Sequence, residues 1–186
     1  MSLKIGIIIA SIREGRNGEV VANWVLEQAL KRADGNTYQL VDLKSYDLPF
    51  LGRTPNESQL NAITKWSSDM ASFDGYVLVT PEYNHGVPGT LANAFQFLKA
   101  EVQNKALGFV GYGFLGAARA IFGYRSQLVY QQIAIVQQQL NLSLNLDFKN
   151  VDGKMVFEPG EYHIAEINTL LNQLISWSGA LKSIRA

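Results

Sequence analysis

The chain has 186 residues, of which 47% are apolar and 17% are charged. This length and composition suit one folded domain with a full hydrophobic core and exclude a disordered chain. Lysine plus arginine equals aspartate plus glutamate at 16 each. The chain therefore lacks the basic excess of most nucleic-acid-binding proteins and the polybasic cluster that binds an anionic membrane.

Cysteine is absent, which excludes disulfides, thiolate metal sites, iron–sulfur clusters and a cysteine nucleophile. The two histidines, His85 and His163, lie far apart in sequence and form no metal-ligand pattern. The apolar run near the N-terminus is too short to span a bilayer, and no small-residue cleavage site follows it. We therefore expect a cytoplasmic protein without a bound metal.

The first half of the chain begins with an isoleucine-rich run, Lys4–Ala10, which is typical of a strand buried on both faces of a parallel sheet. Apolar residues at helical spacing predict a helix over Glu19–Ala33, and Tyr38–Leu43 is predicted to be the second strand. A loop with two prolines, residues 44–57, leads to a second helix over about Ser58–Ser72.

The second half continues the alternation of strands and helices. Its predicted elements are, in order, a third strand over Gly75–Thr80, a loop over Pro81–Gly89, a third helix over Thr90–Glu101, a fourth strand over Lys105–Gly111, a loop over Gly113–Gly116, a helix extending to about Gln139, a final strand over Leu142–Phe148 and Lys154–Phe157 broken by a turn at Asp152-Gly153, and a last helix over Glu161–Trp177. The glutamine-rich stretch Gln131–Gln139 is assigned to a helix because its apolar residues recur at helical spacing.

Five alternations of strand and helix indicate one α/β domain, an open parallel sheet covered by helices on both faces. Such sheets bind ligands beyond the carboxyl ends of their strands, where the strand order reverses. The loops after the first, third and fourth strands are therefore the places where a functional site is expected.

The loop Ser11–Gly18 joins a buried strand to the N-terminus of a helix, where free backbone N–H groups favour an anion. It lacks the Gly-Lys-Ser/Thr ending of a Walker A loop. Two neutral and two cationic side chains could hydrogen-bond a phosphate monoester: Ser11, Asn17, Arg13 and Arg16. The same composition also suits a solvated loop with a helix N-cap, and the local pattern leaves both interpretations open.

The loop Pro81–Gly89 is stiffened by two prolines. Either it presents backbone groups to a heteroaromatic ring, with Tyr83 as a wall, or it is a rigid connector with Tyr83 in the core. The loop Gly111–Gly116 matches GxGxxG, but a dinucleotide fold carries that motif after its first strand, with an acid about 20 residues further on. We reject the dinucleotide interpretation and expect this loop to leave room for the edge of a flat ligand.

Single residues give weaker indications of catalysis. His85 is expected to face solvent and His163 to lie on the surface. Glu82 has no paired carboxylate, and Ser11 has no evident histidine partner, so a hydrolase triad has little support. Three tryptophans at helical core spacing are expected to be packing residues: Trp24, Trp66 and Trp177.

Two segments carry a family resemblance: Ile7–Gly18, which reads IIIASIREGRNG, and Pro81–Ala94, which reads PEYNHGVPGTLANA. They resemble the NADPH-dependent FMN reductase family, which includes quinone, chromate and azo-dye reductases. The specific part is Pro-Glu-Tyr-Asn followed by Pro-Gly-x-Leu-x-Asn-Ala. The resemblance covers nearly the whole chain and implies a flavodoxin-like three-layer sandwich, with five parallel strands in the order 2-1-3-4-5.

The resemblance also implies an FMN site in which the flavin carries the chemistry and no side chain is an indispensable acid or base. The FMN phosphate would be bound by the first loop and the start of its helix: Ser11, Arg13, Arg16, Asn17, Gly18, Glu19 and Val20. The isoalloxazine ring would be contacted, largely through backbone groups, by the second loop: Pro81, Glu82, Tyr83 and Asn84. The other end of the ring would lie beside Tyr112 and Gly113.

The activity that the resemblance implies is FMN-dependent transfer of electrons from NADH or NADPH to a quinone-like, azo, metal-oxyanion or flavin acceptor. The family typically forms dimers or dimers of dimers, so we expect a homodimer or homotetramer. One alternative is a flavodoxin-like electron carrier, although such carriers are more acidic and have no arginine in the phosphate loop. A flavin-free binding module is a second alternative, against which the retained Pro81–Asn84 loop argues.

Overall fold

The computed structural model describes residues 2–185, and a sheet of five parallel strands lies at its centre. The strands are β1 (Lys4–Ile9), β2 (Thr37–Asp42), β3 (Gly75–Pro81), β4 (Ala106–Gly113) and β5 (Ala134–Ser143). Their order across the sheet is β2-β1-β3-β4-β5, and all four neighbouring pairs are parallel. The predicted fold class and strand order are confirmed.

Helices cover both faces of this sheet, which gives the molecule three layers and two hydrophobic cores. The α-helices are α1 (Gly18–Lys31), α2 (Glu57–Ala71), α3 (Gly89–Phe95), α4 (Ala118–Tyr130) and α5 (Tyr162–Lys182). α1 and α5 share one core, whereas α2, α3 and α4 share the other. None of the helices within residues 2–185 has the length and apolar character that crossing a membrane requires.

Strands β3 and β4 are buried at every residue because each has a strand on both sides and helices above and below. β1 is likewise buried after Lys4. These strands consequently show the continuous apolar runs of a parallel sheet and no polar alternation. Their carboxyl ends lie side by side and bring together the loops that follow them.

The prediction of a helix extending to Gln139 is wrong. α4 ends at Tyr130, and Ala134–Ser143 is the edge strand β5. The ladder with β4 is irregular, because a step of two residues along β4, from Leu107 to Phe109, is matched by a step of four along β5, from Ile135 to Gln139. Such an irregularity disturbs the two-residue alternation of a strand, so apolar residues three and four apart imitated a helical period.

The predicted final strand is also wrong in part, since its first residues belong to β5. The remainder forms an antiparallel hairpin of β6 (Phe148–Val151) and β7 (Lys154–Phe157), separate from the main sheet. The predicted turn at Asp152-Gly153 is confirmed, and both residues have the positive φ of a type I′ turn. Phe157 packs edge-to-face on Trp24 of α1, which attaches the hairpin to the molecule.

Three smaller predictions are wrong: the end of the third helix, the packing role of Trp177 and the surface position of His163. The third helix ends at Phe95, six residues earlier than expected. Trp177 is 45% exposed because it lies at the margin of the buried stripe of α5. His163 is buried, and its ring bridges Asp147 (3.0 Å from Nε2) and Glu166 (2.6 Å from Nδ1). This histidine therefore joins the turn between β5 and β6 to α5 in the interior.

Candidate functional site

The loops after β1, β3 and β4 meet at one edge of the sheet. The chain leaves β1 toward β2 on one side and resumes with β3 on the other, so the strand order reverses between β1 and β3. A crevice at such a reversal is the usual ligand site of an open α/β sheet. The Ser11 and Tyr83 hydroxyls lie 2.9 Å apart and connect the first two loops.

The N-terminus of α1 offers free donors to an anion. Asn17 is the N-cap residue, but its side chain caps no backbone N–H. Helical geometry leaves the first N–H groups, those of Gly18, Glu19 and Val20, without a partner inside the helix. The first helical bond of α1 runs from the Val21 N–H to the Asn17 carbonyl at 3.3 Å. These donors and the helix dipole make this end of α1 suitable for a phosphate group.

Arg16 is engaged by acidic side chains and not directed into the open loop. Its side chain is 4% exposed and forms a bidentate ion pair with Asp42 at the end of β2, with distances of 2.5 and 2.8 Å. It also donates to Glu19 and to the Ser11 carbonyl. Burial opposes the charged form, but Asp42 and Glu19 outweigh it and raise the pKa of Arg16. The structure thus places Arg16 as a brace beneath the loop.

Arg13 differs from Arg16 in its surroundings. It is exposed, and within residues 2–185 it has neither a salt bridge nor a side-chain hydrogen bond. It lines a pocket of about 370 Å³ at the edge of the sheet. Of the two loop arginines, Arg13 is therefore the one whose charge is available to a ligand.

Tyr112 presents a buried hydroxyl to the start of α1. Tyr112 is 5% exposed, and its hydroxyl has no hydrogen-bond partner among the described residues. A Cβ placed on Gly18 would lie 3.0 Å from that oxygen, so a side chain at position 18 would crowd it. Burial, reinforced by Tyr83 and partly offset by the nearby Ser11 hydroxyl, raises the pKa of Tyr112, so the hydroxyl stays a donor at neutral pH. An unsatisfied buried donor beside a helix N-terminus fits an oxygen-rich ligand.

The loop after β3 is shaped by a two-residue turn. Tyr83 and Gly86 exchange two backbone hydrogen bonds of 2.9 Å. Between them, Asn84 and His85 have φ of 49° and 65°, the left-handed values of a type I′ turn. Tyr83 is 38% exposed, so it is a wall of the site and not a core residue. His85 is exposed, as predicted.

Glu82 uses its carboxylate inside the protein. It accepts hydrogen bonds from the Arg119 side chain and from the backbone N–H groups of Arg119 and Ala120, at 3.1 and 3.2 Å. Burial disfavours the charged form, but these donors outweigh it and lower the pKa of Glu82. Glu82 therefore caps α4 and ties the loop after β3 to the loop after β4.

The glycines at the end of β4 and in the loop that follows it have different roles. A Cβ on Gly111 would lie 2.3 Å from the Gly116 carbonyl oxygen, and one on Gly116 would lie 2.5 Å from Asn141. These two glycines permit close packing of the loop on the sheet. A Cβ on Gly113, in contrast, would meet no atom closer than 3.5 Å. Only Gly113 keeps the open surroundings that we expected for the edge of a ligand.

A sequence model of the NADPH-dependent FMN reductase family matches residues 3–147, which include all three loops. The chain belongs to this family. Its members among the similar proteins include an NAD(P)H-dependent FMN reductase of Nectria sp, 33% identical over 127 residues, which are 63% of each chain. Another, from Schizosaccharomyces pombe, is 38% identical over 116 residues, 59% of this chain and 58% of that one. The match thus spans less than two thirds of either relative.

A solved structure supports the fold independently of close sequence similarity. FerB, a flavoenzyme NAD(P)H:(acceptor) oxidoreductase from Paracoccus denitrificans, has a TM-score of 0.68 and 18% identity. The alignment covers 96% of this chain and 98% of FerB. This FMN reductase family member therefore shares the flavodoxin-like architecture over nearly its whole length.

Three residues in or beside the candidate site were not recognised from the sequence. Asp42 and Arg119 orient Arg16 and Glu82, yet both are distant in sequence from the loops that they support. Phe50 lines the same pocket as Ser11 and Tyr83. The sequence could have placed Phe50 near the site, because the loop after β2 also leaves the carboxyl edge of the sheet.

Proposed function

We propose that the protein is an FMN-dependent NAD(P)H oxidoreductase that reduces quinone-like, azo, metal-oxyanion or flavin acceptors. The observation that carries the proposal is the unpaired, buried Tyr112 hydroxyl beside the uncapped N-terminus of α1. Together they offer donors to a phosphorylated, hydroxyl-rich chain such as that of FMN. Family membership and the named FMN reductases among the relatives support the same cofactor.

Bound FMN would supply the redox chemistry, accepting a hydride from NADH or NADPH and passing electrons to the acceptor. The residues of the chain bind and orient. Ser11, Arg13 and Asn17 would hold the phosphate together with the N–H groups of Gly18, Glu19 and Val20, while Arg16 fixes the loop from below. Pro81 to Asn84 would hold the ring through their backbone, with Tyr112 and Gly113 beside its other end.

Titration of the purified protein with FMN, followed by flavin fluorescence, tests the cofactor. Oxidation of NADH and of NADPH, followed at 340 nm with a quinone as acceptor, tests the activity. Failure to bind FMN contradicts the proposal outright. FMN binding without NAD(P)H oxidation would favour the alternative, a flavodoxin-like electron carrier.

We also propose that two copies associate through α4. Phe122, Val129 and Tyr130 share one side of this helix and are 83%, 62% and 91% exposed. Adjacent large apolar side chains at such exposure are typical of a surface that another protein covers. Light scattering should give the mass of a dimer or tetramer, and Phe122→Glu should reduce it. A monomeric unsubstituted protein contradicts this proposal.

The proposed location is the cytoplasm, where NADH and NADPH are available as electron donors. Fractionation of expressing cells, with the enzyme followed by antibody, tests this location. Recovery in a membrane or secreted fraction contradicts it.

A further inference from the structure

Phe50 is a large apolar side chain held in solvent next to the candidate site. Its ring is 66% exposed, although the preceding Pro49 is buried. It borders the pocket of about 370 Å³ whose other lining residues are Ser11, Ile12, Arg13, Tyr83, Pro88, Gly89 and Thr90. Apart from Thr90, in the first turn of α3, these residues come from the two loops to which we assign the flavin, and Phe50 adds a further segment of the chain to that pocket.

The position of Phe50 is fixed by a single side chain of α3. The Asn93 amide accepts a hydrogen bond from the Leu51 N–H at 2.9 Å and donates one to the Pro49 carbonyl at 2.8 Å. The two bonds flank Phe50 on either side. A turn that donates the Arg53 N–H to the Phe50 carbonyl at 3.1 Å closes the same loop. Asn93 thus prevents the loop from carrying the ring away from the pocket.

Asn93 lies within the Pro-Gly-x-Leu-x-Asn-Ala motif, but the flavin site as described gives it no role. Its amide satisfies backbone groups of another loop, and α3 in turn begins directly after the loop Pro81–Pro88. The loop Pro81–Pro88, which shapes the flavin side of the pocket, therefore leads directly into the helix that carries Asn93.

We propose that Phe50 is a specificity-determining wall on the side of this pocket that bound flavin would leave open to an acceptor, and that Asn93 is the positioning residue that holds it there. This inference rests on the proposed function. The apolar lining by Ile12, Phe50 and Pro88 suits acceptors with a flat aromatic face, because a phenyl ring packs well against another ring. Quinones with fused rings are the acceptor class that this wall selects.

The kinetic test compares 1,4-naphthoquinone with ferricyanide, an inorganic acceptor that has no aromatic face. Phe50→Ala should raise KM for naphthoquinone about tenfold, the loss of one ring-to-ring contact together with its buried area. The ratio of the KM for naphthoquinone to the KM for ferricyanide should therefore rise, because ferricyanide has no ring that packs against Phe50. Leu51→Ala is the matched control, because Leu51 is an exposed apolar neighbour that does not line the pocket.

Asn93→Ala should raise KM for naphthoquinone as Phe50→Ala does, and the double variant should be no worse than Phe50→Ala alone. This non-additivity separates positioning from a general loss of structure, which would add to the effect of Phe50→Ala. Additive effects, or a KM that Phe50→Ala leaves within twofold, would overturn the inference.

Hydrogen exchange of the flavin-free protein gives a readout that does not depend on activity. The amide of residue 51 should lose at least about tenfold of its protection factor in Asn93→Ala, because its acceptor is lost, and should keep that protection factor in Leu51→Ala. Unchanged exchange of this amide in Asn93→Ala overturns the role of Asn93 as the positioning residue. A protein that reduces ferricyanide but shows no effect of these substitutions refutes only this inference, whereas one that binds no FMN refutes the proposed function itself.

Discussion

The two arginines of the loop after β1 have distinct surroundings and should have distinct effects. Arg13→Ala should weaken FMN binding about tenfold, because a charge-assisted hydrogen bond to phosphate is lost, and should leave stability unchanged. Arg16→Ala should lower the free energy of unfolding by about 1–3 kcal/mol, because Asp42 and Glu19 lose a shared partner. Flavin fluorescence and urea unfolding measure the two effects, and each variant is the control for the other. Equal effects on both quantities would contradict this separation.

Tyr112→Phe should change stability and binding in opposite directions. The flavin-free protein loses an unsatisfied buried hydroxyl, so its melting temperature should hold or rise slightly. FMN affinity should fall several-fold, because a donor beside the phosphate loop is removed. Tyr124→Phe is a control, since Tyr124 is a buried tyrosine on α4 away from the loop after β1. Unchanged FMN affinity in Tyr112→Phe would mean that the hydroxyl does not face the flavin.

At the scale of single residues, the sequence predicted that the loops after β1, β3 and β4 lie together at one edge of the sheet, but not which way each side chain points. Arg16 was assigned to the flavin phosphate and Glu82 to the flavin ring, the latter largely through backbone groups, and the structure gives both side chains internal partners. Those partners, Asp42 and Arg119, lie 26 and 37 residues away in the chain. A local pattern contains no information on contacts at that separation, so it could not distinguish a ligand-binding cation such as Arg13 from a braced one.

Helix α4 depends on a cap that comes from another loop. Glu82→Ala should lower the free energy of unfolding by about 1–2 kcal/mol, the usual effect of losing an N-cap acceptor. Because the folded-state pKa of Glu82 is lowered, its contribution is complete above its ordinary pKa of 4.5 and disappears as the pH falls through the folded value. Urea unfolding at pH 7 and at acid pH should therefore give a smaller difference between the two proteins in acid.

The control for this cap is Glu161→Ala. Glu161 occupies the N-cap position of α5, but its side chain makes no capping hydrogen bond. Its substitution should change stability by less than that of Glu82. A larger loss in Glu161→Ala would show that charge near a helix end matters more than the hydrogen bonds of Glu82.

At the scale of elements, one cause explains why the central strands were predicted correctly and why the edge strand β5 was not. β1, β3 and β4 were predicted because a central strand has the same apolar surroundings on both faces, and its sequence shows this directly. β5 lies at the edge, and its glutamines reach solvent while Val136 and Leu140 remain buried. The irregular ladder separates those buried residues by four positions, a spacing that sequence alone assigns to a helix.

At the scale of the whole molecule, the candidate site lies at one edge of the sheet, and a network of charged side chains lies at the opposite edge. At the amino end of β3, Asp74 accepts hydrogen bonds from the Lys4 backbone, Lys182 and Arg185, which joins both ends of the chain to the sheet. Nearby, Lys105 donates to the carbonyls of Met70 and Ala71, at the end of α2. This network is remote from the loops of the candidate site, so changes here should affect stability and leave FMN binding intact.

Lys105 gives this network a measurable pH dependence. Burial, aided by the charge of Arg185, lowers its pKa from 10.5 to about 8. Between these values the unfolded chain binds more protons than the folded one, so this residue makes stability rise with pH across that window. The unfolding free energy of the unsubstituted protein, measured relative to that of Lys105→Met, should therefore rise from pH 8 to pH 10. A difference independent of pH would contradict the lowered pKa.

The ion pair between Arg16 and Asp42 links two positions whose identities should not vary independently during evolution. A homologous chain with a small hydroxyl residue at position 16 would leave a carboxylate at position 42 without its bidentate partner, so the acid there should disappear as well. In an alignment of the family, the two columns should covary. The loop after β1 would then divide into two lineages, one braced by arginine and one not, that can be recognised from the residue at the end of the second strand.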